Sequence, residues 1–166
     1  MTVSLDDILI REEPAPGDLG YVMYLHGIYY RPRYGYGIEF ESYVALAVHE
    51  IYRHYDPDRD RIWICEHQGR IIGSLVLMHR DKDAAQLRLF LVLPEYQGIG
   101  LGGYLMRRFL ETLRERGYRS AFLWTTEEQE TAVALYRRLG FTLTEEKTST
   151  AFGKPLVEQR YELVVA

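Results

Sequence analysis

The sequence lacks the features of several protein classes. Cys65 is the only cysteine, so an internal disulfide is excluded. No stretch is long and apolar enough for a membrane span or for the hydrophobic region of a signal peptide. We therefore expect a protein of the reducing cytoplasm that has no membrane partner.

An excess of positive charge is also lacking, because the formal net charge is −4 at pH 7. A surface that collects the phosphates of nucleic acid is normally basic, so we predict no nucleic-acid partner. The five histidines are scattered, and no cysteine pair or His-Glu-x-x-His helix accompanies them. Since a metal site needs ligands at suitable spacing, we predict no metal.

The composition is that of a folded domain. The chain has 166 residues, of which 47% are hydrophobic and 27% charged, enough for one compact domain with its own core. It contains no internal repeat, low-complexity tract or long Gly/Ser linker. We predict a single domain over residues 1–166.

The spacing of apolar residues changes along the chain from helical to strand-like and back. Three consecutive strands with short loops imply an antiparallel meander, and the residues Arg31 to Gly37 should break the first helix. Thr126 and Gln129 are predicted to form a capping box at the last helix. The order β-α-α-β-β-β-α-β-α-β-β is typical of an α+β fold in which helices flank a mixed, mostly antiparallel central sheet. The predicted elements are a strand at 8–12, helices at 19–30 and 40–55, strands at 62–66, 70–78 and 86–93, a helix at 98–116, a strand at 120–125, a helix ending at 139–140, and a hairpin within 141–165.

Four glycines cluster where the third meander strand passes to the longest helix, in the segment Gln97-Gly98-Ile99-Gly100-Leu101-Gly102-Gly103. Residues without Cβ let the main chain approach a ligand closely, and the unpaired N–H groups of a helix start favour an anion. The segment therefore predicts a diphosphate-binding turn.

A dinucleotide site is one alternative, since Gly98, Gly100 and Gly103 satisfy G-x-G-x-x-G. However, residues 94–97 separate the strand from the glycines, and the preceding chain is a meander. About forty residues follow Thr125, too few for the further βαβ units of a doubly wound sheet. A nicotinamide or flavin oxidoreductase is therefore the less favoured prediction.

Two motifs resemble those of the GNAT superfamily of N-acetyltransferases. Gln97-x-x-Gly100-x-Gly102, preceded by Leu91-Val92-Leu93-Pro94-Glu95, is similar to its acetyl-CoA signature, and residues 134–141 (ALYRRLGF) are similar to its second CoA-contacting motif. The whole chain also resembles the acetyltransferase domain of bacterial fusion proteins that carry a MarR-type DNA-binding domain. The resemblance implies a GNAT-like fold and an acetyl-CoA-dependent N-acetyltransferase.

The resemblance also implies roles for individual residues. The main chain of Leu91 to Leu93 would pair with the pantetheine arm, and the amides from Gln97 to Gly102 would hold the pyrophosphate. Many members carry asparagine seven residues before the motif tyrosine, whereas this chain has Gln129. The predicted cofactor-binding residues are Leu91, Val92, Leu93, Gln97, Gly98, Ile99, Gly100, Leu101, Gly102, Gly103, Gln129, Ala132 and Tyr136.

Acetyl transfer needs an acid for the departing thiolate, and Tyr136 is the predicted catalytic residue. A phenol with a pKa near 10 is protonated at pH 7 and is about as basic, once ionised, as the thiolate. The main-chain N–H of Val92 is predicted to meet the oxyanion. No base is evident, because Gln86 and Arg88 stand where some relatives carry a carboxylate.

The acceptor site is predicted from the two early helices. Nine of the fourteen tyrosines lie between Tyr21 and Tyr55, and aromatic rings with carboxylates could attract a cationic amine. Filling the space between helices and sheet is the alternative role for these rings. The predicted substrate-binding residues are His26, Tyr29, Tyr30, Glu39 and Glu41, of which His26 and the two glutamates are also candidates for the base.

Three functions are left open by the sequence. The first is acetyl transfer from acetyl-CoA to a primary amine of a small molecule or peptide by direct attack, and the second is a non-catalytic acyl-CoA-binding regulatory module. The third, less favoured, is a dinucleotide-binding oxidoreductase. The identity of the amine and the existence of a homodimer are also left open.

Overall fold

The computed structural model describes residues 2–81 and 83–166 and contains four α-helices and seven β-strands in those ranges. The order of elements is the predicted one, so the α+β fold class is confirmed. The strands are β1 (Leu9–Arg11), β2 (Arg61–His67), β3 (Arg70–His79), β4 (Ala84–Val92), β5 (Ser120–Thr126), β6 (Thr142–Ser149) and β7 (Leu156–Val164), and the helices are α1 (Asp18–Tyr34), α2 (Ile38–His54), α3 (Leu101–Glu115) and α4 (Glu130–Arg138).

The strands form one sheet in the order β1-β2-β3-β4-β5-β7-β6. Strands β2 to β4 are the predicted meander, with β1 added antiparallel to β2, and β6 and β7 form the predicted terminal hairpin. Among the described strand pairs only β4 and β5 run parallel, with helix α3 as the crossover between them. A doubly wound dinucleotide-binding sheet needs several parallel pairs, so the sheet is of another kind.

Helix α3 packs its apolar stripe against the sheet. Leu101, Leu105, Phe109 and Leu113 recur at helical spacing and are all buried, as the periodicity predicts. Burial of each such side chain contributes roughly 1.5–3 kcal/mol. The helix is thereby fixed on the sheet, and its first turn is held next to the end of β4. In the ranges that the structure describes, every helix is too short or too polar to cross a bilayer.

The first helix is longer than predicted, because it continues through Pro32 to Tyr34 instead of ending near residue 30. A proline removes one N–H and crowds the preceding turn, but Pro32 stands in the last turn, where little helix follows. The rings of Tyr30, Tyr34 and Tyr36 pack on one another, and this packing favours helical geometry over the predicted break. Gly35 then ends the helix with a φ of 74°.

The predicted capping box of Thr126 and Gln129 is wrong. Gln129 is the N-cap residue of α4, but its side chain makes no capping hydrogen bond. The turn is closed by the main chain, since the N–H of Gln129 donates to the carbonyl of Thr126 at 3.1 Å. The hydroxyl of Thr126 instead forms a hydrogen bond with the hydroxyl of Tyr36 at 2.8 Å. Because a tertiary contact with Tyr36, in the loop between α1 and α2, occupies the threonine, the amide of Gln129 is left for other partners.

Candidate active site

Strands β4 and β5 diverge soon after they pair. Their register covers only Ala84 to Gln86 on β4, whereas β5 continues to Thr126. The cause is a bulge in β4, where the register with β3 shifts and Leu89 adopts a φ of 49°. A bulge bends its strand and increases the local twist. The divergence leaves a gap in the middle of the sheet.

Two residues of β3 hold this bulge. The hydroxyl of Ser74 donates a 2.6 Å hydrogen bond to the carbonyl of Leu89, which has no register partner on β3. Gly73 lies so close to β4 that an added Cβ would stand 2.8 Å from the carbonyl oxygen of Leu91. Only a residue without a side chain allows that approach.

A cavity of about 460 Å³, here called the large cavity, lies between the end of β4, the start of α3 and helix α4. Ten of the thirteen residues predicted to bind the cofactor line it. The exceptions are Ile99, Leu93 and Leu101. Leu93 and Leu101 are buried, so only their main chain could contact the cofactor. Seven other lining residues were not among the predicted site residues: Arg33, Tyr34, Phe90, Pro94, Thr131, Leu135 and Arg138. Pro94, Leu135 and Arg138 lie within the two family-like motifs, whereas no motif contains the other four.

The start of α3 faces the large cavity with main-chain amides. Gly98 and Gly100 have φ values of 83° and 89°, which side-chain-bearing residues rarely adopt. Gly100 is the N-cap of α3, and the first turn carries no acidic residue. The unpaired N–H groups and the helix dipole together make a site for an anion such as a diphosphate.

A second, smaller cavity of about 90 Å³, here called the small cavity, occupies the gap between β4 and β5. Four residues line both cavities, namely Tyr30, Phe90, Gln129 and Tyr136. The two spaces therefore meet at these side chains. The other residues of the small cavity are His26, Phe40, Tyr43, Val44, Ala47, Gln86, Leu87, Arg88, Leu89, Trp124, Thr125, Thr126, Phe152 and Glu158.

Tyr136 stands at the junction of the cavities and is 5% exposed. Burial raises the pKa of its phenol well above the usual value, and the neighbouring Tyr30 adds to the shift. The phenol is therefore protonated at any physiological pH. It is a weaker acid than an ordinary phenol with a pKa near 10. A thiolate in the same apolar space would have its proton affinity raised in the same direction.

The predicted substrate-binding residues are divided between the two cavities. His26 lines the small cavity, Tyr29 lines the large one, and Tyr30 lines both. Glu39 and Glu41 line neither; both are exposed, and Glu39 lies against Gly37 and Gly153. The structure thus brings the aromatic members of the prediction to the site and leaves the two carboxylates outside it.

His26 is poorly suited to accept a proton. It is buried on α1, and its Nδ1 is 2.8 Å from the carbonyl of Val22, to which it can donate. Burial lowers the pKa of its imidazole to about 4, with the hydrogen bond to Val22 opposing this shift. At pH 7 the ring is neutral, so it contributes a polar wall without charge.

A carboxylate that sequence reasoning missed lies in the small cavity. Glu158 is on β7, opposite Thr126 of β5 in the register, and is 8% exposed. The alternation of a strand shows which residues share a face, but that face is identified only when the partner strand is known. Glu158 could therefore not be selected from its neighbours in the sequence.

Comparison with known proteins gives one family. The profile of the Acetyltransferase (GNAT) family matches residues 30–141. An uncharacterized N-acetyltransferase of Escherichia coli (strain K12) is 30% identical over 112 residues, which are 64% of this chain and 67% of that protein. A mycothiol acetyltransferase of Thermobifida fusca is 35% identical over 99 residues, which are 55% of this chain and 31% of that protein. This chain therefore spans only a part of the length of such relatives.

The fold is also similar to solved structures. The spermidine N-acetyltransferase of Vibrio cholerae in complex with CoA and spermine superimposes with a TM-score of 0.69 at 21% identity, covering 96% of each chain. A GNAT family acetyltransferase from Elizabethkingia anophelis with acetyl-CoA bound gives a TM-score of 0.66 at 16% identity, covering 96% of this chain and 99% of that one. At these identities the likeness concerns the fold.

Proposed function

Because the chain belongs to the GNAT acetyltransferase family, we propose that it transfers an acetyl group from acetyl-CoA to a primary amine of a small molecule or peptide. The observation that carries the proposal is the meeting of the two cavities at Tyr136. The large cavity is matched to an elongated anionic cofactor and the small one to an acceptor. The thioester and the amine would meet between them.

The cofactor is assigned to the large cavity on chemical grounds. Its pyrophosphate would lie at the start of α3, on the amides of residues 97–103. The pantetheine arm would follow Leu91 and Val92. These residues lie beyond the part of β4 that pairs with β5, so main-chain groups on that side can form hydrogen bonds with a ligand. The side-chain amide of Gln97 donates to the carbonyl of Val92 at 3.0 Å, which braces this part of the strand.

The arrangement of the two cavities supports direct attack by the amine. The nucleophile would approach from the small cavity, the carbonyl oxygen would face the N–H of Val92, and the thiolate would leave toward Tyr136. Tyr136 keeps its proton because burial raises its pKa, so it is available to the leaving group. No covalent acyl-enzyme is needed, since the described residues that line the junction include no cysteine or serine.

The remaining features of the proposal rest on the sequence. A cytoplasmic location, a homodimer and the resemblance to MarR-type fusion proteins stay predictions. The Vibrio cholerae protein is a spermidine N-acetyltransferase and holds spermine in that complex, so polyamines are a reasonable first group of acceptors to test. A regulatory acyl-CoA-binding module is the second candidate, because the large cavity by itself would suffice for it.

The experiment is a panel of alkylamines, polyamines, amino acids and amino-terminal peptides incubated with acetyl-CoA, with free thiol measured as CoA is released. Amine-dependent release supports the proposal. Calorimetric titration with acetyl-CoA and with NADH is run alongside. Binding of acetyl-CoA with no release over the whole panel would favour the regulatory module, and preference for NADH would overturn the cofactor assignment.

A further inference from the structure

The carboxylate of Glu158 is buried in the small cavity without a partner in the protein. The residue is 8% exposed, and in the described ranges its side chain forms no hydrogen bond and no ion pair. A carboxylate removed from water is costly unless a cation or hydrogen-bond donors compensate it. The protein therefore carries an anionic group that a bound ligand can satisfy.

The neighbouring charges do not compensate Glu158. Arg88 lines the same cavity, but its guanidinium is paired with Glu50 at 2.7 Å. The imidazole of His26 is neutral because burial lowers its pKa to about 4. Lys147 is the register partner of Glu158 on β6, yet its ammonium lies 4.6 Å from the ring centroid of Trp124 and forms no ion pair with the carboxylate.

The titratable phenols around the cavity are also uncharged. Burial raises the pKa of Tyr30 and of Tyr136 above the ordinary value, so neither adds negative charge at physiological pH. Among the described lining residues, Glu158 thus has the one negative charge in the small cavity.

The shape of the small cavity restricts what can reach this charge. Its volume is about 90 Å³, enough for a few heavy atoms and too little for a folded peptide or a large ring. Phe40, Val44, Leu87 and Phe152 contribute apolar walls, which suit methylene groups. A slender alkyl chain that ends in an ammonium group satisfies both the walls and the carboxylate.

We propose that Glu158 binds the ammonium group of an alkylamine acceptor and accepts the proton that must leave before attack, an inference that rests on the proposed acetyl transfer. Glu158 takes one proton from R–NH3+ and leaves the neutral amine. The nitrogen lone pair then forms the N–C bond to the thioester carbonyl, and the C–S bond breaks. The thiolate takes a proton from Tyr136, which regains one from the nitrogen, and Glu158 releases its proton to solvent.

The test compares Glu158→Gln with Glu162→Gln as the matched control. Glu162 lies on the same strand, is paired with Arg160 at 2.6 Å and lines neither cavity. Each variant is assayed with acetyl-CoA and two slender amines, propylamine, which is cationic at neutral pH, and methoxyamine, which is not. Urea unfolding checks the fold. Glu158→Gln should fold with nearly the stability of the wild type, because in the described ranges Glu158 has no hydrogen bond or ion pair to lose.

We expect Glu158→Gln to lower kcat/KM for propylamine by about 10- to 100-fold, while methoxyamine and the KM for acetyl-CoA change little. The rate of Glu158→Gln with propylamine should keep rising with pH, because the variant depends on amine that has lost its proton in solution. An ordinary alkylamine has a pKa of about 10.4. A merely structural role would not alter the pH profile. Glu158→Asp should retain part of the activity and serves as the second variant.

Three outcomes would overturn the inference. If Glu158→Gln matches Glu162→Gln with both amines, Glu158 has no part in the reaction although acetyl transfer stands. If both amines are affected equally and the pH profile is unchanged, the residue has no role in binding charge or accepting a proton. If the wild type binds acetyl-CoA but acetylates neither these amines nor the wider panel, the proposed function fails together with this inference.

Discussion

Replacing Ser74 by alanine should loosen the bulge that separates β4 from β5. The hydroxyl of Ser74 is the donor to the carbonyl of Leu89 at 2.6 Å, and Ser74 is fully buried. Water cannot readily replace the lost donor at a buried position, so the carbonyl would be left unsatisfied. Such a loss costs about 1–3 kcal/mol. Leu89 also holds a φ of 49°, a conformation that itself costs roughly 1–3 kcal/mol and persists only when neighbours maintain it.

Urea unfolding gives the measurement. With a slope of about 2 kcal/mol per molar urea, a loss of 1–3 kcal/mol lowers the midpoint by roughly 0.5–1.5 M. Affinity for acetyl-CoA, measured by calorimetry, should fall as well, because Leu91 and Val92 lie just beyond the bulge and line the large cavity. The two effects have one cause and should appear together.

Thr112→Val is the matched control for Ser74→Ala. Thr112 is equally buried, and its hydroxyl donates to the carbonyl of Arg108 at 2.8 Å. That carbonyl already accepts a main-chain hydrogen bond within α3, so removing the hydroxyl leaves nothing unsatisfied. If Ser74→Ala costs no more than Thr112→Val and leaves cofactor affinity unchanged, the bulge is maintained by other contacts and the reasoning is refuted.

Three further changes test separate parts of the site. Tyr136→Phe should lower kcat by about 100-fold or more while the affinity for acetyl-CoA stays nearly the same; unchanged turnover would exclude a proton-donating role. Gly100→Ala should weaken acetyl-CoA binding, because a φ of 89° costs roughly 1–2 kcal/mol for any residue with a Cβ. The control is Gly20→Ala, which lies within α1 and has no atom near the added Cβ. This variant should bind acetyl-CoA as the wild type does. His26 is neutral in the fold because burial lowers its pKa to about 4. Its contribution to the free energy of unfolding is therefore present above the unfolded pKa near 6.5 and is lost as pH falls toward 4, by up to roughly 3 kcal/mol. His26→Phe should flatten the dependence of the urea midpoint on pH between these two values, and an unchanged slope would mean that other groups cause the dependence.

The helices and strands were largely predictable because their causes are local. The stripe of Leu101, Leu105, Phe109 and Leu113 predicts α3 and its buried face, and the change to strand-like spacing after Pro57 predicts the meander. The failures occur where a tertiary contact outweighs a local preference. Aromatic packing extends α1 past Pro32, and the hydrogen bond with Tyr36 takes Thr126 from its predicted capping role.

The two cavities differ in how far the sequence could reveal them. One strand end and one helix start, close together in the chain, supply nine of the nineteen residues that line the large cavity, so a short motif reveals nearly half of it. The small cavity combines α1, α2, β4, β5 and β7, which are far apart in the chain. Glu158 becomes part of the site only through the pairing of β7 with β5, which no local pattern specifies.

The bulge in β4 determines the position of both cavities at once. Upstream of it, Leu87 and Arg88 line the small cavity; downstream, Leu91 and Val92 line the large one. Without the extra residue, β4 would keep its register with β3 and would continue beside β5, which would close the gap. A one-residue change of register also exchanges the two faces of a strand, so the groups beyond the bulge would turn away from the cofactor. The alignment of acceptor and thioester at Tyr136 therefore depends on a main-chain irregularity held by Gly73 and Ser74, neither of which lines either cavity.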